Sequence, residues 1–157
     1  MSKTLITKKK PKNKQRKIIW LTGNSGAGKT SLAYLLKDRL NAVVLDGDEL
    51  RSSISIDLGF SKAHRDVHNM RVARLAKTLH RQYLNVIVSV IAPFHSTRIK
   101  ITKLINPYWI YIKGGKIGKD MPYEAPKKPH LTIDPENESL HESLEKILTE
   151  VEKIMKL

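Results

Sequence analysis

The chain has 157 residues, the length of a single domain, and carries a formal net charge of +14. It contains no cysteine, which excludes disulfides, thiolate zinc sites, iron–sulfur clusters and cysteine nucleophiles. Its longest apolar run, residues 86–91, is far too short to cross a bilayer, and no apolar signal segment follows the basic start. We therefore expect a cytoplasmic protein without a membrane partner, either a monomer or a small oligomer such as a homodimer.

The positive charge is concentrated at the N-terminus. Residues 1–17 hold eight of the 29 Lys and Arg residues and no acidic residue, which leaves 21 basic against 15 acidic residues in the remainder. Like charges at this density disfavour packing, so we predict a flexible basic tail over residues 1–17 and a single domain over residues 18–157. The tail is either a solubilising extension or an anchor for nucleic acid or another acidic surface.

Apolar runs alternate with helical patterns along the rest of the chain. Strands are predicted at residues 18–21, 42–45, 86–91, 108–112 and 131–133. Helices are predicted at 30–40, 66–83 and 95–105 and in the C-terminal segment, where apolar residues from Leu140 to Met155 form one stripe. The core candidates of the long helix are Val67, Met70, Leu75, Leu79 and Leu84. Glycines and prolines mark residues 113–130 as a loop.

Strands that are apolar throughout, alternating with helices, are typical of a parallel sheet that is covered on both faces. The pattern therefore predicts an α/β fold of three layers. In such folds the ligand lies beyond the carboxyl ends of the strands.

Residues 23–30, GNSGAGKT, match the phosphate-loop pattern G-x-x-x-x-G-K-[ST], with an apolar strand before them and an amphipathic helix after them. The glycines let successive backbone N–H groups approach phosphate oxygens, Lys29 can reach the β- and γ-phosphates, and the Thr30 hydroxyl can bind Mg²⁺. We predict a P-loop NTPase fold that binds a nucleoside triphosphate and Mg²⁺. The predicted nucleotide-binding residues are Gly23, Asn24, Ser25, Gly26, Ala27, Gly28, Lys29, Thr30 and Ser31.

Charged residues follow the second predicted strand. Asp46 ends this strand, which we expect to lie beside the first, so its carboxylate would lie near the γ-phosphate and either deprotonate an acceptor hydroxyl or hold Mg²⁺. Arg51 is suited to binding an anionic substrate. The alternative is that Asp46 or Asp48 caps the short helix that follows. No acidic residue ends the 86–91 strand, where many P-loop proteins carry a metal-binding Asp.

Six motifs occur in an order that resembles the adenylylsulfate (APS) kinase family, over about residues 18–133. They are the P-loop, LDGDELR at 45–51, DLGFS at 57–61, Arg65, IAPF at 91–94 and PYEAP at 122–126. The resemblance implies transfer of the γ-phosphate of ATP to the 3′-hydroxyl of APS, a reaction of sulfate assimilation. It implies Asp46 as the base or as a metal-linked carboxylate, and Asp48, Arg51, Phe60 and Arg65 as substrate contacts. Together with the P-loop, this gives Lys29 and Asp46 as the predicted catalytic residues and Thr30 and Asp46 as the predicted metal ligands. From the sequence alone, Phe60 could equally anchor the core.

Two departures from the family pattern concern the substrate site. The family's substrate-binding Asn falls on His68, and an Asn follows at Asn69. The family's serine before the proline, phosphorylated in some members, is Ala92 here, so no phosphoenzyme can form at that position. We keep His68, Asn69 and Ile91 as predicted substrate contacts. His64 and His68 are four residues apart and are predicted to form a surface pair rather than a metal site.

The largest departure lies between Ile112 and Pro122, where the family has a long lid with basic residues and a second aromatic residue. Here Lys116 and Lys119 either replace the missing charges or lie in a solvated loop. Because lids exclude water and complete the charge clamp, we expect slow turnover, extra ATP hydrolysis or a smaller acceptor base. Two alternatives stay open. One is a kinase of another nucleotide-linked acceptor, such as cytidine diphosphoramidate. The other is a degenerate kinase fold that binds a nucleotide or nucleic acid.

Overall fold

The computed structural model describes residues 16–116 and 118–156. Its elements are β1 (Ile18–Thr22), α1 (Lys29–Leu40), β2 (Ala42–Asp46), α2 (Gly47–Arg51), α3 (Lys62–Arg81), β3 (Asn85–Ser89), α4 (His95–Ile105), β4 (Tyr108–Ile112), β5 (Leu131–Ile133) and α5 (Leu140–Met155). The predicted basic tail lies outside the described residues except for Arg16 and Lys17. The Arg16 guanidinium lies 4.5 Å from the centroid of the Tyr83 ring, beyond the end of α3.

The five strands form one parallel sheet in the order β2-β3-β1-β4-β5. The expectation that β2 lies directly beside β1 is therefore wrong, because β3 lies between them. The burial of the strands explains this order. Most of β3 is fully buried, which suits a strand with neighbours on both sides, whereas Val43 and Val44 of β2 are only half-buried, which suits an edge strand.

Two apolar clusters on opposite faces of the sheet confirm the predicted three layers. On one face α1 and α5 pack against β1 and β4, with Ile19, Leu36 and Ile147 at the centre of the cluster. On the other face α3 and α4 pack around Trp20 and Trp109, whose rings lie 5.2 Å apart between centroids. Among the described residues, no helix has both the length and the apolar character that crossing a membrane requires.

The helix α3 begins at Lys62, four residues before the predicted start, because Ser61 caps it. The Ser61 hydroxyl accepts a hydrogen bond from the backbone N–H of His64 at 3.1 Å. The buried face of α3 includes Val72 and Ala76. Val67 and Leu84 are exposed and are wrong as core candidates, since Val67 lies to one side of that face and Leu84 follows the end of the helix. Met70, Leu75 and Leu79 are half-buried against the second cluster.

Candidate active site

A cavity of about 500 Å³ opens at the carboxyl ends of β1, β2 and β3, where the fold predicts a ligand site. The predicted substrate contacts all line it: Asp48, Arg51, Phe60, Arg65, His68, Asn69 and Ile91. Six of the predicted nucleotide-binding residues line it as well: Ser25, Gly26, Gly28, Lys29, Thr30 and Ser31. The other three, Gly23, Asn24 and Ala27, are buried residues of the loop that do not line the cavity. The sequence therefore predicted most of the residues that the fold brings together here.

The P-loop turns from β1 into α1 through two glycines with positive φ, 79° at Gly26 and 97° at Gly28. Other residues rarely adopt this conformation, which turns the loop's backbone N–H groups inward. Gly28 is the N-cap of α1 and has no side-chain hydrogen bond to offer, so the first N–H groups of this helix remain available to an anion. The loop thus has the backbone geometry of a phosphate site.

Lys29 is the first residue of α1, and its side chain is buried beneath the loop. Its Nζ donates a hydrogen bond to the backbone carbonyl of Asn24 at 2.9 Å. Burial lowers the pKa of Lys29 to about 8, although Asp48 and Asp46 act in the opposite direction. A partly desolvated ammonium of this kind gains from a phosphate partner, because the phosphate restores the charged interactions that burial removed.

Asp46 links the P-loop to the end of β2. Its Oδ1 accepts a hydrogen bond from the Thr30 hydroxyl at 2.9 Å, and its Oδ2 accepts one from the backbone N–H of Glu49 at 3.3 Å. Asp46 is thus the N-cap of α2, and the alternative that Asp48 caps this helix is wrong. The capping and the metal-linked interpretations of Asp46 are compatible, since one oxygen serves each.

The same pair of residues decides whether Mg²⁺ fits this site. Magnesium in nucleotide sites keeps several waters and takes one or two protein oxygens besides the phosphates. The adjacent Thr30 hydroxyl and Asp46 carboxylate supply such oxygens. Within residues 16–116 and 118–156, no cluster of three His, Asp or Glu side chains forms a metal site of another kind. The residues present fit a magnesium ion held jointly with a nucleotide.

Phe60 lies at the rim of the cavity with 67% of its surface exposed, so the interpretation as a core anchor is wrong. Two guanidinium groups lie against its ring, Arg51 at 4.5 Å and Arg65 at 5.4 Å from the centroid. Both are held by the backbone, Arg51 through the carbonyl of Gly59 at 2.7 Å and Arg65 through that of Phe60 at 2.8 Å. Partial burial and the neighbouring Arg65 lower the pKa of Arg51. This end of the cavity is suited to an anion with an aromatic group.

His68 is buried in α3 and does not form a surface pair with His64, so that prediction is wrong. Its Nδ1 lies 2.7 Å from the Ser55 hydroxyl. Burial, together with Arg51 and Arg71, lowers the pKa of His68 to about 4, so the imidazole is neutral at pH 7. The exposed His64 instead accepts the backbone N–H of Gly59 at 2.7 Å. Asn69 is also buried, and its Oδ1 has no hydrogen-bond partner in the described residues.

The sequence did not predict two polar residues, one in the cavity lining and one beneath its wall. Ser89, at the end of β3, is the register partner of Asp46 and lines the cavity with a buried hydroxyl that has no partner in the described part of the chain. Arg98 is buried beneath the turn after β3, where it donates to the carbonyls of Ala92 at 2.7 Å and Glu124 at 2.5 Å. For Ser89 the sequence offered one signal, since no carboxylate ends β3, where many P-loop proteins carry a metal-binding Asp. For Arg98 the sequence offers no signal, because no local pattern distinguishes it from an exposed Arg on a helix.

The PYEAP motif ties the loop after β4 to this turn. The Tyr123 hydroxyl lies 2.9 Å from the Thr22 hydroxyl at the end of β1, and its ring stacks on that of Tyr111. The Glu124 carboxylate accepts the backbone N–H of His95 at 3.0 Å, at the start of α4. A carboxylate at this end of a helix is favourable, because the first N–H groups carry partial positive charge. The motif thus supports the cavity wall.

Comparisons with known proteins agree with this geometry. A family model described as adenylylsulphate kinase matches residues 15–114. The adenylyl-sulfate kinase of Picosynechococcus sp. is 32% identical over 165 residues, covering 87% of this chain and 93% of that protein. The probable bifunctional SAT/APS kinase 2 of Sorangium cellulosum is 35% identical over 167 residues, which cover 87% of this chain but only 29% of that protein.

A solved structure extends the agreement to the fold. The Mycobacterium tuberculosis APS kinase in complex with AMPPNP and APS matches with a TM-score of 0.80 at 29% identity, covering 87% of this chain and 98% of that one. The family model spans more than half of the chain, and the Picosynechococcus relative is similar over nearly its whole length. The chain therefore belongs to the adenylylsulphate kinase family, as its motifs predicted.

Proposed function

We propose that the protein transfers the γ-phosphate of ATP to the 3′-hydroxyl of APS, which yields ADP and 3′-phosphoadenylylsulfate. The observation that carries this proposal is that the P-loop, Phe60 and the two arginines against its ring line one and the same cavity. One end thus suits the triphosphate, and the other suits an acceptor that has both a base and anionic groups.

In the proposed reaction the acceptor oxygen forms a bond to the γ-phosphorus while the bond from that phosphorus to the β–γ bridging oxygen breaks. The proton of the hydroxyl passes to the Asp46 carboxylate, and ADP leaves. Such transfers depend mainly on positioning and on charge stabilisation. Lys29 and the N–H groups of the P-loop hold the phosphates, Arg51 and Arg65 hold the acceptor's anionic groups, and Phe60 offers a face to its base.

Mg²⁺, when bound, neutralises charge on the β- and γ-phosphates. Thr30 and Asp46 would hold it. The hydrogen bond between these two residues supports this assignment, because it brings the two oxygens within 2.9 Å of each other.

The test is a reaction with Mg-ATP and APS in which transfer and hydrolysis are measured together by ion-exchange separation of the nucleotides. We expect a 3′-phosphoadenylylsulfate product that Lys29→Ala abolishes. Lys37→Ala is the matched control, because Lys37 lies exposed on the same helix, α1. Cytidine diphosphoramidate is offered in parallel. A phosphorylated cytidine product without APS turnover would show that the acceptor is the cytidine compound and not APS. If neither acceptor is phosphorylated although ATP still binds, the protein would instead be a nucleotide-binding module.

The assembly, the location and the tail stay predictions. We keep the homodimer as part of the proposal, to be tested by light scattering of the full-length chain. The cytoplasmic location is tested by cell fractionation. Binding to RNA at several salt concentrations, with and without residues 1–17, tests the tail, since binding through phosphates weakens steeply with salt.

A further inference from the structure

The short segment after β4, where the family has its lid, docks onto the P-loop. Gly115 packs against the loop so closely that a Cβ at this position would lie 2.7 Å from the carbonyl oxygen of Ser25 and 3.0 Å from that of Asn24. Its φ of 85° also favours glycine. The contact thus requires glycine at position 115. The next residue in the chain is Lys116.

The backbone of Lys116 continues this contact. Its N–H donates to the carbonyl of Ser25 at 2.8 Å, and its own carbonyl accepts a hydrogen bond from the side-chain amide of Asn24. The Asn24 side chain is itself oriented, since its Oδ1 accepts the backbone N–H of Ser25 at 2.9 Å. Lys116 is therefore held to two consecutive P-loop residues through both of its backbone polar groups.

The side chain of Lys116 passes over the loop. Its Cγ lies 3.8 Å from the position that a Cβ of Gly26 would occupy, and Gly26 lines the cavity. Two further methylenes and an exposed ammonium follow this atom, which gives the charge freedom to turn into the cavity mouth. Lys29 reaches the same loop from its buried side. Phosphates in the loop would thus lie between two lysines.

We propose that Lys116 is a second phosphate-binding lysine, held over the P-loop by a docked segment in place of a basic lid. The proposal rests on the proposed function only in taking ATP as the nucleotide. Lys119 belongs to the same segment, but within residues 16–116 and 118–156 no hydrogen bond joins it to the P-loop. Of the two lysines that could replace the charges of the family's lid, we therefore assign this role to Lys116 alone.

The first test compares Lys116→Met with Lys128→Met, which removes the same charge from an exposed position later in the same loop. Dissociation constants for Mg-ATP, Mg-ADP and AMP are measured by calorimetry. We expect Lys116→Met to weaken Mg-ATP binding about tenfold and AMP binding less than twofold, since a charge-assisted contact to the terminal phosphates is lost. Lys116→Arg should recover most of the affinity. Equal effects of the two Met variants would overturn the proposal.

The second test displaces the segment without removing the charge. Gly115→Ala introduces the blocked Cβ, whereas Gly118→Ala is the matched control, because a Cβ there meets nothing within 4 Å. We expect Gly115→Ala to weaken Mg-ATP binding as Lys116→Met does. The double variant should lose no further affinity, because both changes remove one interaction. Additive losses would show that Lys116 acts without docking and would contradict the inference.

The two proposals fail in distinguishable ways. If the wild-type chain phosphorylates APS but Lys116→Met binds and turns over Mg-ATP normally, the inference falls and the proposed function stands. If neither acceptor is phosphorylated but Lys116→Met still weakens Mg-ATP binding selectively, the phosphate-binding lysine stands and the acceptor assignment falls.

Discussion

Burial controls the charge of two residues that flank the reaction site. Lys29 and His68 both have lowered pKa values, about 8 and about 4, and desolvation is the main cause in each case. The consequences differ. Lys29 stays largely protonated at pH 7 and can bind phosphate through its charge. His68 is neutral at this pH and can only donate one hydrogen bond and accept one. A residue that replaces the family's Asn therefore remains an uncharged polar group at neutral pH.

The neutral state of His68 makes stability depend on pH. The unfolded His68 takes up its proton near pH 6.5 but the folded one only near pH 4. The unfolded state thus binds more protons between these values, and stability falls as the pH is lowered through this window, by up to about 3 kcal/mol. We expect His68→Gln to flatten the pH dependence between 6.5 and 4, measured by urea unfolding. An unchanged slope would contradict the lowered pKa.

At the scale of elements, the cavity wall after β3 depends on contacts from distant segments. Arg98 of α4 holds the carbonyl of Ala92, a residue at a φ of 47°, and the carbonyl of Glu124 in the PYEAP motif. The Glu124 carboxylate in turn caps α4. The turn that places Ile91 and Pro93 in the cavity wall is thus held by Arg98 of α4 and by the PYEAP motif.

This network predicts a structural role for Arg98. Arg98→Met keeps the length and apolar stem of the side chain but leaves the buried carbonyl of Ala92 and the partly buried carbonyl of Glu124 without their charged donor. We therefore expect a loss of about 2–4 kcal/mol of unfolding free energy. The control is Arg74→Met, since Arg74 is exposed on α3. Chemical denaturation monitored by tryptophan fluorescence measures both. A change in Arg98→Met no larger than that of the control would show that solvent replaces the lost contacts.

At the scale of the whole molecule, the cavity exists because β1, β2 and β3 end at one edge of the sheet. The order with β3 between β1 and β2 makes Asp46 and Ser89 register partners, and it makes Ser89 the partner of Leu21. The P-loop, the α2 cap and the Ser89 hydroxyl thus come from three segments far apart in the chain. Because all three line the cavity, a ligand that fills it would contact all three and stabilise the folded molecule.

Ligand binding should therefore raise the melting temperature. A non-hydrolysable Mg-ATP analogue at one hundred times its dissociation constant adds about 2.7 kcal/mol, which for a chain of this length corresponds to roughly 5–10 °C. We expect this shift for the wild type and for Lys37→Ala in differential scanning fluorimetry. It should be absent in Lys29→Ala at the same concentration. A full shift in Lys29→Ala would remove Lys29 from the phosphate site.

The sequence by itself determined the three layers, the P-loop and most of the cavity's lining. These depend on local patterns: apolar runs make buried strands, glycines permit the loop, and each motif carries its residues together. Only the tertiary structure decided the position of β3, the burial of His68, the exposure of Phe60 and the docking of Lys116 on the P-loop. The position of β3 and the docking of Lys116 depend on contacts between segments far apart in the chain, and the exposure of the other two side chains depends on how their elements pack. No local pattern identifies the neighbours that set these packing energies.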